Sequence, residues 1–379
     1  MSHSASDSVS QQGLPDVSVV IPVHNGAATL AETVASAFAQ SLENIEVLVV
    51  DDASADATPE VLRSLEARFG SRLRHWRLGT NGGTSTARNF AISKARAPYI
   101  APLDADDLWH VDKLRRQVEA LEAVPEAVAS YGWVAHVDSE SRYLHEGSHA
   151  CHEGDVFLTV LLGNFLECGS NILARTDACR AVGGYDESLP SAEDWDFHVR
   201  LAFYGPFAVA RETLTYYRKH QGSQTLNGLH QIEESALLVT ERYYADLRGP
   251  EAGLRQSTMA NLYRYFLQQV YEGPPAPWRA RTGLRFVRQL LRHDPALGRP
   301  LGALLLLKSM IRFLPAAWAR AVERGASHLP GLETLPDAHH RPINDLQHEL
   351  PRELRDLPPR IWNSTERQSA GRGLDGEEN

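Results

Sequence analysis

Asp104, Asp106 and Asp107 follow directly on the apolar run Tyr99-Ile100-Ala101-Pro102-Leu103. Carboxylates packed this closely repel one another and cost stability unless water or a cation answers them. The chemistry that suits them is capture of a hard divalent cation, Mg²⁺ or Mn²⁺. Such an ion takes one or two carboxylates and completes its shell with phosphate oxygens. The plainer alternative is a solvated helix cap, a role open to Asp107 or Asp112. An EF-hand is excluded, because Leu108 and Trp109 fall where that loop needs an oxygen ligand and glycine. A second acidic group, Glu193-Asp194-Trp195-Asp196, opens a helical segment, where the helix dipole favours acids. The absence of GxxxxGK[ST] and GxSxG patterns removes support for P-loop and hydrolase-elbow chemistry.

The elements that must carry these acids alternate regularly. Val17–Ile21, Ile45–Val50, Leu73–Leu78 and Pro98–Leu103 read as strands, and helical spacing over 27–40, 58–69, 84–96 and 111–123 separates or follows them. That alternation predicts an α/β domain with a mostly parallel sheet flanked by helices. Ligands of such sheets bind beyond the carboxyl ends of the strands. Here the first strand runs out at Pro22-Val23-His24-Asn25, the second at Asp51-Asp52-Ala53-Ser54 and the fourth at Asp104-Ala105-Asp106. Polar groups from all three should meet on one edge. Residues 138–155 read as an excursion, 156–163 as a short helix, 168–175 as a strand, 192–204 as a helix and 209–219 as extended. The resulting division is a disordered lead (1–15), an α/β domain (16–228), a helical C-terminal region (229–328) and a Pro- and charge-rich, largely disordered tail (329–379).

The net charge of −10 leaves no global basic footprint for nucleic acid. Three cysteines in 379 residues make no disulfide framework and suit a reducing, cytoplasmic setting. The first fifteen residues have neither the basic nor the apolar segment of a secretory signal. The apolar stretch Leu301–Leu307, interrupted by Lys308, Arg312 and Pro315, is too short to span a bilayer. A segment with spaced His145, His149, Cys151 and His152 falls in the 138–155 excursion and reads as a solvated loop rather than a zinc site.

The ordered series VSVVIPVHN, VLVVDDAS, TNGGTSTARN, YIAPLDADD and SAEDWDFHVRL resembles the family 2 glycosyltransferases, an inverting group with the GT-A fold, from about Val17 to Thr225. The first motif departs from the family in carrying His24 where an aromatic Tyr is commoner. The resemblance implies a nucleotide-diphosphate sugar as donor, a glycan or lipid-linked acceptor and a divalent cation. It implies that Pro22, His24 and Asn25 line the nucleotide pocket, that Asp52 binds the base and that Asp51 orients that strand end. Asn81, Gly82 and Gly83 would allow close backbone approach to ribose or phosphate, with Arg88 and Asn89 facing the same cleft. Asp104 would contact ribose or metal, Asp106 would be the direct metal ligand, and Asp194 would be the general base toward the acceptor hydroxyl. Glu193, Gly184 and Trp195 would shape the loop or the acceptor side. In the stretch Tyr217 to Thr225, the resemblance puts Arg218, Lys219 or His220 at the diphosphate or the metal; Gly169-Ser170-Asn171 would meet the donor sugar.

Between Arg255 and Arg324 eleven Arg and one Lys face three acids, against the negative balance of the rest of the chain. Interleaved with Trp278, Phe286, Leu290 and Phe313, this region could rest on an anionic leaflet at the cytoplasmic face, or pack as an ordinary amphipathic subdomain. The first alternative suits a lipid-carried acceptor in lipopolysaccharide, O-antigen or capsule assembly. Two rival functions are a sugar nucleotidyltransferase, which would need a Gly-rich loop after the first strand, and a catalytically silent nucleotide-sugar-binding module, which the intact Asp104, Asp106 and Asp194 argue against.

Overall fold

The computed structural model of the protein describes residues 13–219, 228–273 and 276–297, with Leu305, Leu306, Ser309, Met310 and Phe313. Its centre is a pair of parallel strands, β1 (Val17–Val23) and β2 (Ile45–Asp51), in which every residue is buried. They pair in register from Val17↔Ile45 to Val23↔Asp51, so both reach the same edge together. β3 (Leu73–Arg77) adds in parallel to β2, and β4 (Tyr99–Pro102) in parallel to β1. The crossovers run through α1 (Leu30–Phe38), α2 (Thr58–Phe69) and α3 (Gly83–Lys94).

Beyond β4 the sheet becomes mixed. In chain order its strands are β5 (Leu108–Trp109), β6 (Ala129–Val137), β7 (Tyr143–Glu146), β8 (Leu173–Arg175) and β9 (Phe207–Arg218), and the sheet order is β3-β2-β1-β4-β8-β6-β9-β5 with β7 on β6. β8 runs antiparallel to both β4 and β6, β9 parallel to β6, and β5 antiparallel to β9. The parallel reading therefore holds for the first four strands and gives way to a mixed half. The acidic turn after β4 leads straight into β5 on the opposite edge, which draws it across the ends of the intervening strands. Sequence periodicity has no purchase on a two-residue strand, and β5 is invisible to it.

Helices α4 (Lys113–Ala123), α5 (Phe157–Leu162), α6 (Thr176–Ala181) and α7 (Glu193–Tyr204) complete the α/β unit. The C-terminal region supplies α8 (Leu229–Tyr244), α9 (Gly249–Gly253), α10 (Arg255–Glu272) and α11 (Pro277–His293). Alternate residues of β1 feed two cores. Val17, Val19 and Ile21 pack with Leu30, Val34, Leu62 and Leu114, while Val20 packs in a cluster holding Leu48, Ala87, Phe197, Phe266 and Phe286. A strand buried on both faces reads as an unbroken apolar run, the pattern seen in the sequence. The second core extends from the central sheet into α10 and α11, so the C-terminal helices share the interior of the domain they follow.

Among the described residues no helix is long and apolar enough to cross a membrane. Residues 1–12 of the lead and the tail 329–379, both read as disordered, lie outside the described residues, as do Leu301 to Leu304; of the lead's last three residues, which are described, Pro15 is buried.

Candidate active site

The carboxyl ends of β1 and β2 are bound to each other loop to loop. The Asp52 amide donates to the Val23 carbonyl at 2.8 Å, and the His24 ring nitrogen Nδ1 lies 2.7 Å from the Asp52 carbonyl oxygen. Asn25 sits in the left-handed region at φ 53°, which short polar side chains tolerate. Its Oδ1 accepts from the Ala55 amide at 2.8 Å and its own amide donates to Ser54 Oγ at 2.8 Å. Asn25 thus braces two loops. Pro22 lies buried within β1, leaving exposed His24 as the ring of this motif that is open to a base.

Asp51 is buried, accepting the Ser54 amide at 2.8 Å with Arg77 Nε 3.6 Å away, so it fixes the strand end. Asp52 spends its two oxygens on the amides of Gly82 and Gly83, each at 2.8 Å. Asn81 Oδ1 reaches the Gly83 amide as well, at 3.2 Å. These acceptors satisfy amides at the start of α3 that have no partner within the helix. Gly83 stands at φ +86°, a conformation that side chains strain to adopt. Each Asp52 oxygen retains a lone pair, so binding of a base remains open to it.

Arg88, one turn into α3, is 2% exposed rather than a solvated helix-face cation. Its guanidinium donates to Asp104 Oδ1 at 2.5 Å and to Glu193 Oε1 at 2.9 Å, and lies 4.8 Å from the Tyr185 ring centre. Burial works against its charge, but Asp104, Tyr185 and Glu193 outweigh it and raise its pKa well above the ordinary value. One buried arginine therefore ties the end of β4 to the start of α7. Asn89 faces elsewhere: it donates to the Tyr185 carbonyl at 2.8 Å and accepts the Tyr185 amide at 2.7 Å. It holds the turn containing Gly184, where φ is +71° and an added Cβ would lie 2.4 Å from Asn89 Oδ1.

In the acidic turn the three aspartates have different surroundings. Asp104 and Asp106 are partly open, while Asp107 is fully buried. Asp107 Oδ2 accepts the Ser170 hydroxyl at 2.6 Å and Oδ1 the Arg218 amide at 3.0 Å. It is a buried tie to β9, which corrects the solvated-cap reading; Asp112, at the N-terminus of α4, is paired with Arg115 and Ser41. Ser170 Oγ also accepts the Asp104 amide at 3.0 Å, and its carbonyl accepts Trp109 Nε1 at 2.9 Å. The Gly169-Ser170-Asn171 turn is buried support for the acids, not a surface for the donor sugar. Burial, opposed by Arg88 and reinforced by Asp106, raises the Asp104 pKa.

Glu193 and Asp194 begin α7. Asp194 Oδ1 accepts the Trp195 amide at 2.7 Å, and Oδ2 accepts Asn164 Nδ2 at 3.3 Å. Burial first, then the neighbouring Glu193 charge, pushes the Asp194 carboxyl up to about 7. Asn164 Oδ1 lies 3.1 Å from Nδ1 of His198, a buried ring one turn further along α7 whose pKa burial and Arg88 lower to about 3. The neutral His198 ring donates to Asn164, which in turn donates to Asp194. Neither Asn164 nor His198 was signalled by the sequence, because no spacing relates a loop after α5 to a helix thirty residues on. Trp195, expected toward the acceptor, turns inward at 4% exposure with Nε1 donating to the Val160 carbonyl at 2.7 Å. Its role is to seat α7 on α5.

Arg218 is also spent internally. It donates to the Asp106 carbonyl at 2.6 Å, Ser141 Oγ at 2.8 Å and Glu32 Oε2 at 2.7 Å, which locks the acidic turn but withdraws the guanidinium from a diphosphate. Lys219 pairs with Glu272 at 2.8 Å. His220 lies outside the described residues. Among the described residues no group of three or more His, Cys, Asp or Glu side chains could hold a metal by itself. In the excursion His149 stacks on Trp133 at 4.4 Å. Asp104 and Asp106, two partly open carboxylates on one turn, the charge of Asp106 raising the Asp104 pKa, fit an ion that takes most of its shell from phosphate and water. They do not make a closed protein cage.

Residues 18–183 match the family model for Glycosyl transferase family 2. The chain is 29% identical over 225 residues to the uncharacterized glycosyltransferase RT0329 of Rickettsia typhi, spanning 58% of this chain and 69% of that protein. It is 40% identical over 116 residues to the succinoglycan biosynthesis protein ExoO of Rhizobium meliloti, 31% of this chain and 32% of ExoO. Among solved structures, S. aureus TarS in complex with UDP-GlcNAc superposes with a TM-score of 0.51 at 19% identity, covering 82% of this chain and 92% of that one. That likeness shows the GT-A fold. The region that holds the ends of β1, β2 and β4 is thus the part of the chain that matches glycosyl transferase family 2.

Proposed function

We propose that the protein transfers a sugar from a nucleotide-diphosphate donor to an acceptor hydroxyl with inversion, in a divalent-cation-dependent reaction of cell-surface polysaccharide or lipopolysaccharide assembly. The observation that carries this reading is the Arg88 bridge. It brings Asp104 and Glu193 to one guanidinium and thereby sets the cation-binding turn beside a carboxylate whose pKa stands at about 7. The TarS complexes with UDP and UDP-GlcNAc and the succinoglycan role of ExoO support the donor class and the polysaccharide setting.

On this reading His24 and Asp52 face the base, and Asp104 and Asp106 would hold Mg²⁺ or Mn²⁺. Bound there, the ion supplies charge neutralisation on the departing diphosphate, where charge develops in the transition state. Asp194 accepts the acceptor proton as the hydroxyl oxygen attacks the anomeric carbon from the face opposite the leaving group. Asn164 and His198 keep the carboxylate aimed, and Arg88 fixes its distance from the cation-binding turn.

The test uses the full chain with UDP-, GDP- and dTDP-sugars and Mn²⁺. One donor should raise the melting temperature by mass action and be turned over. Asp106→Ala should weaken binding of that donor and abolish turnover. Asp194→Asn should bind it and lower transfer about 10³-fold, within the range removed with a general base. Full activity in Asp194→Asn would refute the assignment.

The cytoplasmic, peripheral placement belongs to the same proposal. Arg281, Arg285, Arg288 and Arg292 lie on the exposed face of α11 with half-exposed Trp278 beside them. They support contact with an anionic leaflet, although Arg285 also pairs with Glu233. Salt-sensitive sedimentation with phosphatidylglycerol vesicles is the expected result; sedimentation with neutral vesicles alone would contradict it.

A further inference from the structure

From Thr258 onward every residue of α10 is buried except Asn261, Tyr265, Gln268 and Glu272. Their spacing of four, three and four places them in a single row along one helix face. A solitary exposed tyrosine on a helix would need no explanation. This row differs because both its ends are fastened to the catalytic rim.

At one end, Asn261 Nδ2 donates to the Leu162 carbonyl at 3.2 Å, two residues before Asn164, which holds Asp194. At the other, Glu272 pairs with Lys219 at 2.8 Å, the residue after Arg218, which holds the Asp106 carbonyl. The eleven helical steps from Asn261 to Glu272 span about 16 Å. The row therefore runs across the cleft from the proton-accepting side to the cation-binding side. Tyr265 lies one turn past Asn261 with 41% of its surface open. Its hydroxyl is raised in pKa by burial and then by the charges of Asp194 and Glu272, which places it within their field.

The geometry points to α10 as the acceptor wall of the cleft, with Tyr265 as the platform on which a sugar ring of a glycan acceptor stacks. This rests on the glycosyltransferase reading of Asp194. A pyranose presents an apolar C–H face and an equatorial fringe of hydroxyls. An exposed aromatic ring flanked by an amide and a carboxylate matches both, as ligand sites combine an apolar platform with a few convergent polar groups. Gln268 donates to Glu272 Oε1 at 2.8 Å, which holds these two side chains as a unit. A plain lipid alcohol would make no use of them. The helical region that follows the α/β domain thus selects the acceptor, and the strand ends select the donor.

The experiment measures, on the full chain with the identified donor and Mn²⁺, both donor hydrolysis and transfer to methyl and p-nitrophenyl glycosides of common hexoses. The ratio of transfer to hydrolysis reads the acceptor wall alone. Tyr265→Ala should lower that ratio about tenfold, through a raised KM for the glycoside. Tyr265→Phe, which keeps the ring and guards against loss of fold, should retain at least half of it. An unchanged ratio in Tyr265→Ala overturns the inference, as does a wild type that hydrolyses donor but uses no glycoside. A wild type that neither hydrolyses nor transfers from any donor overturns the underlying glycosyltransferase reading instead.

Discussion

Asp194 holds a proton in the folded chain that the unfolded chain would release, since its pKa moves from 3.8 to about 7 on folding. The stability conferred by that proton is complete below about pH 4 and is lost as pH rises through 7. Asp194→Asn should therefore raise the free energy of unfolding at pH 8, by on the order of 4 kcal/mol, and leave it unchanged at pH 4. Equal melting curves at both pH values would show that the carboxyl ionises without strain. Catalysis runs the other way, because only the carboxylate accepts a proton. The pH–rate profile should rise with an acidic limb near pH 7, and a limb near pH 4 would contradict the burial seen around α7. At this scale the sequence was partly legible. Acids at strand ends and at a helix start announce themselves by type and position. What Asp52, Asn25 and Arg218 do with their hydrogen bonds is decided by partners 30 to 186 residues away, and no local pattern records that. Trp195 shows the converse: a residue beside Asp194 in sequence points into the core, because successive helix positions face different sides.

The elements meet at Arg88. α3 delivers a buried cation, β4 and α7 each deliver an acid to it, and the two partners keep 28% and 17% of their side-chain surface open. Arg88→Met should remove the bridge and leave Asp104 and Glu193 facing each other. The expected cost is about 2–3 kcal/mol, less than for a fully buried pair because both acids retain some water. Chemical denaturation checks it, and a loss under 0.5 kcal/mol would mean that other contacts hold α7 in place. Donor turnover should fall further than stability explains, since the bridge sets the spacing of the acids. The strands and helices of the first half were legible because β1 and β2 are buried on both faces and their helices are amphipathic. In the mixed second half the extended readings at 168–175 and 209–219 fall on β8 and β9, but the two-residue β5 and the pairing directions were not legible, because they are set by the sheet these strands join.

At the scale of the molecule, Phe266 and Phe286 of the C-terminal helices sit in the same apolar cluster as Val20 and Leu48 of the central strands. A chain ending at residue 228 should lose this cover and fail to melt cooperatively; a sharp two-state transition in that fragment would show the helical region to be a separate unit. Composition revealed the helical region and its arginines but not their use. Arg264 and Arg285 pair with Asp294 and Glu233, and Arg279 is buried, so part of the apparent basic surface is internal. The central claim is that acids from distant segments share one rim, where a cation and a nucleotide diphosphate bind together. Calorimetric titration of UDP into the full chain and into Asp106→Ala, each with and without Mn²⁺, tests it most directly. The predicted result is binding that requires both the ion and Asp106. Equal affinity in all four titrations, or no affinity for UDP, GDP or dTDP under any of them, would contradict it.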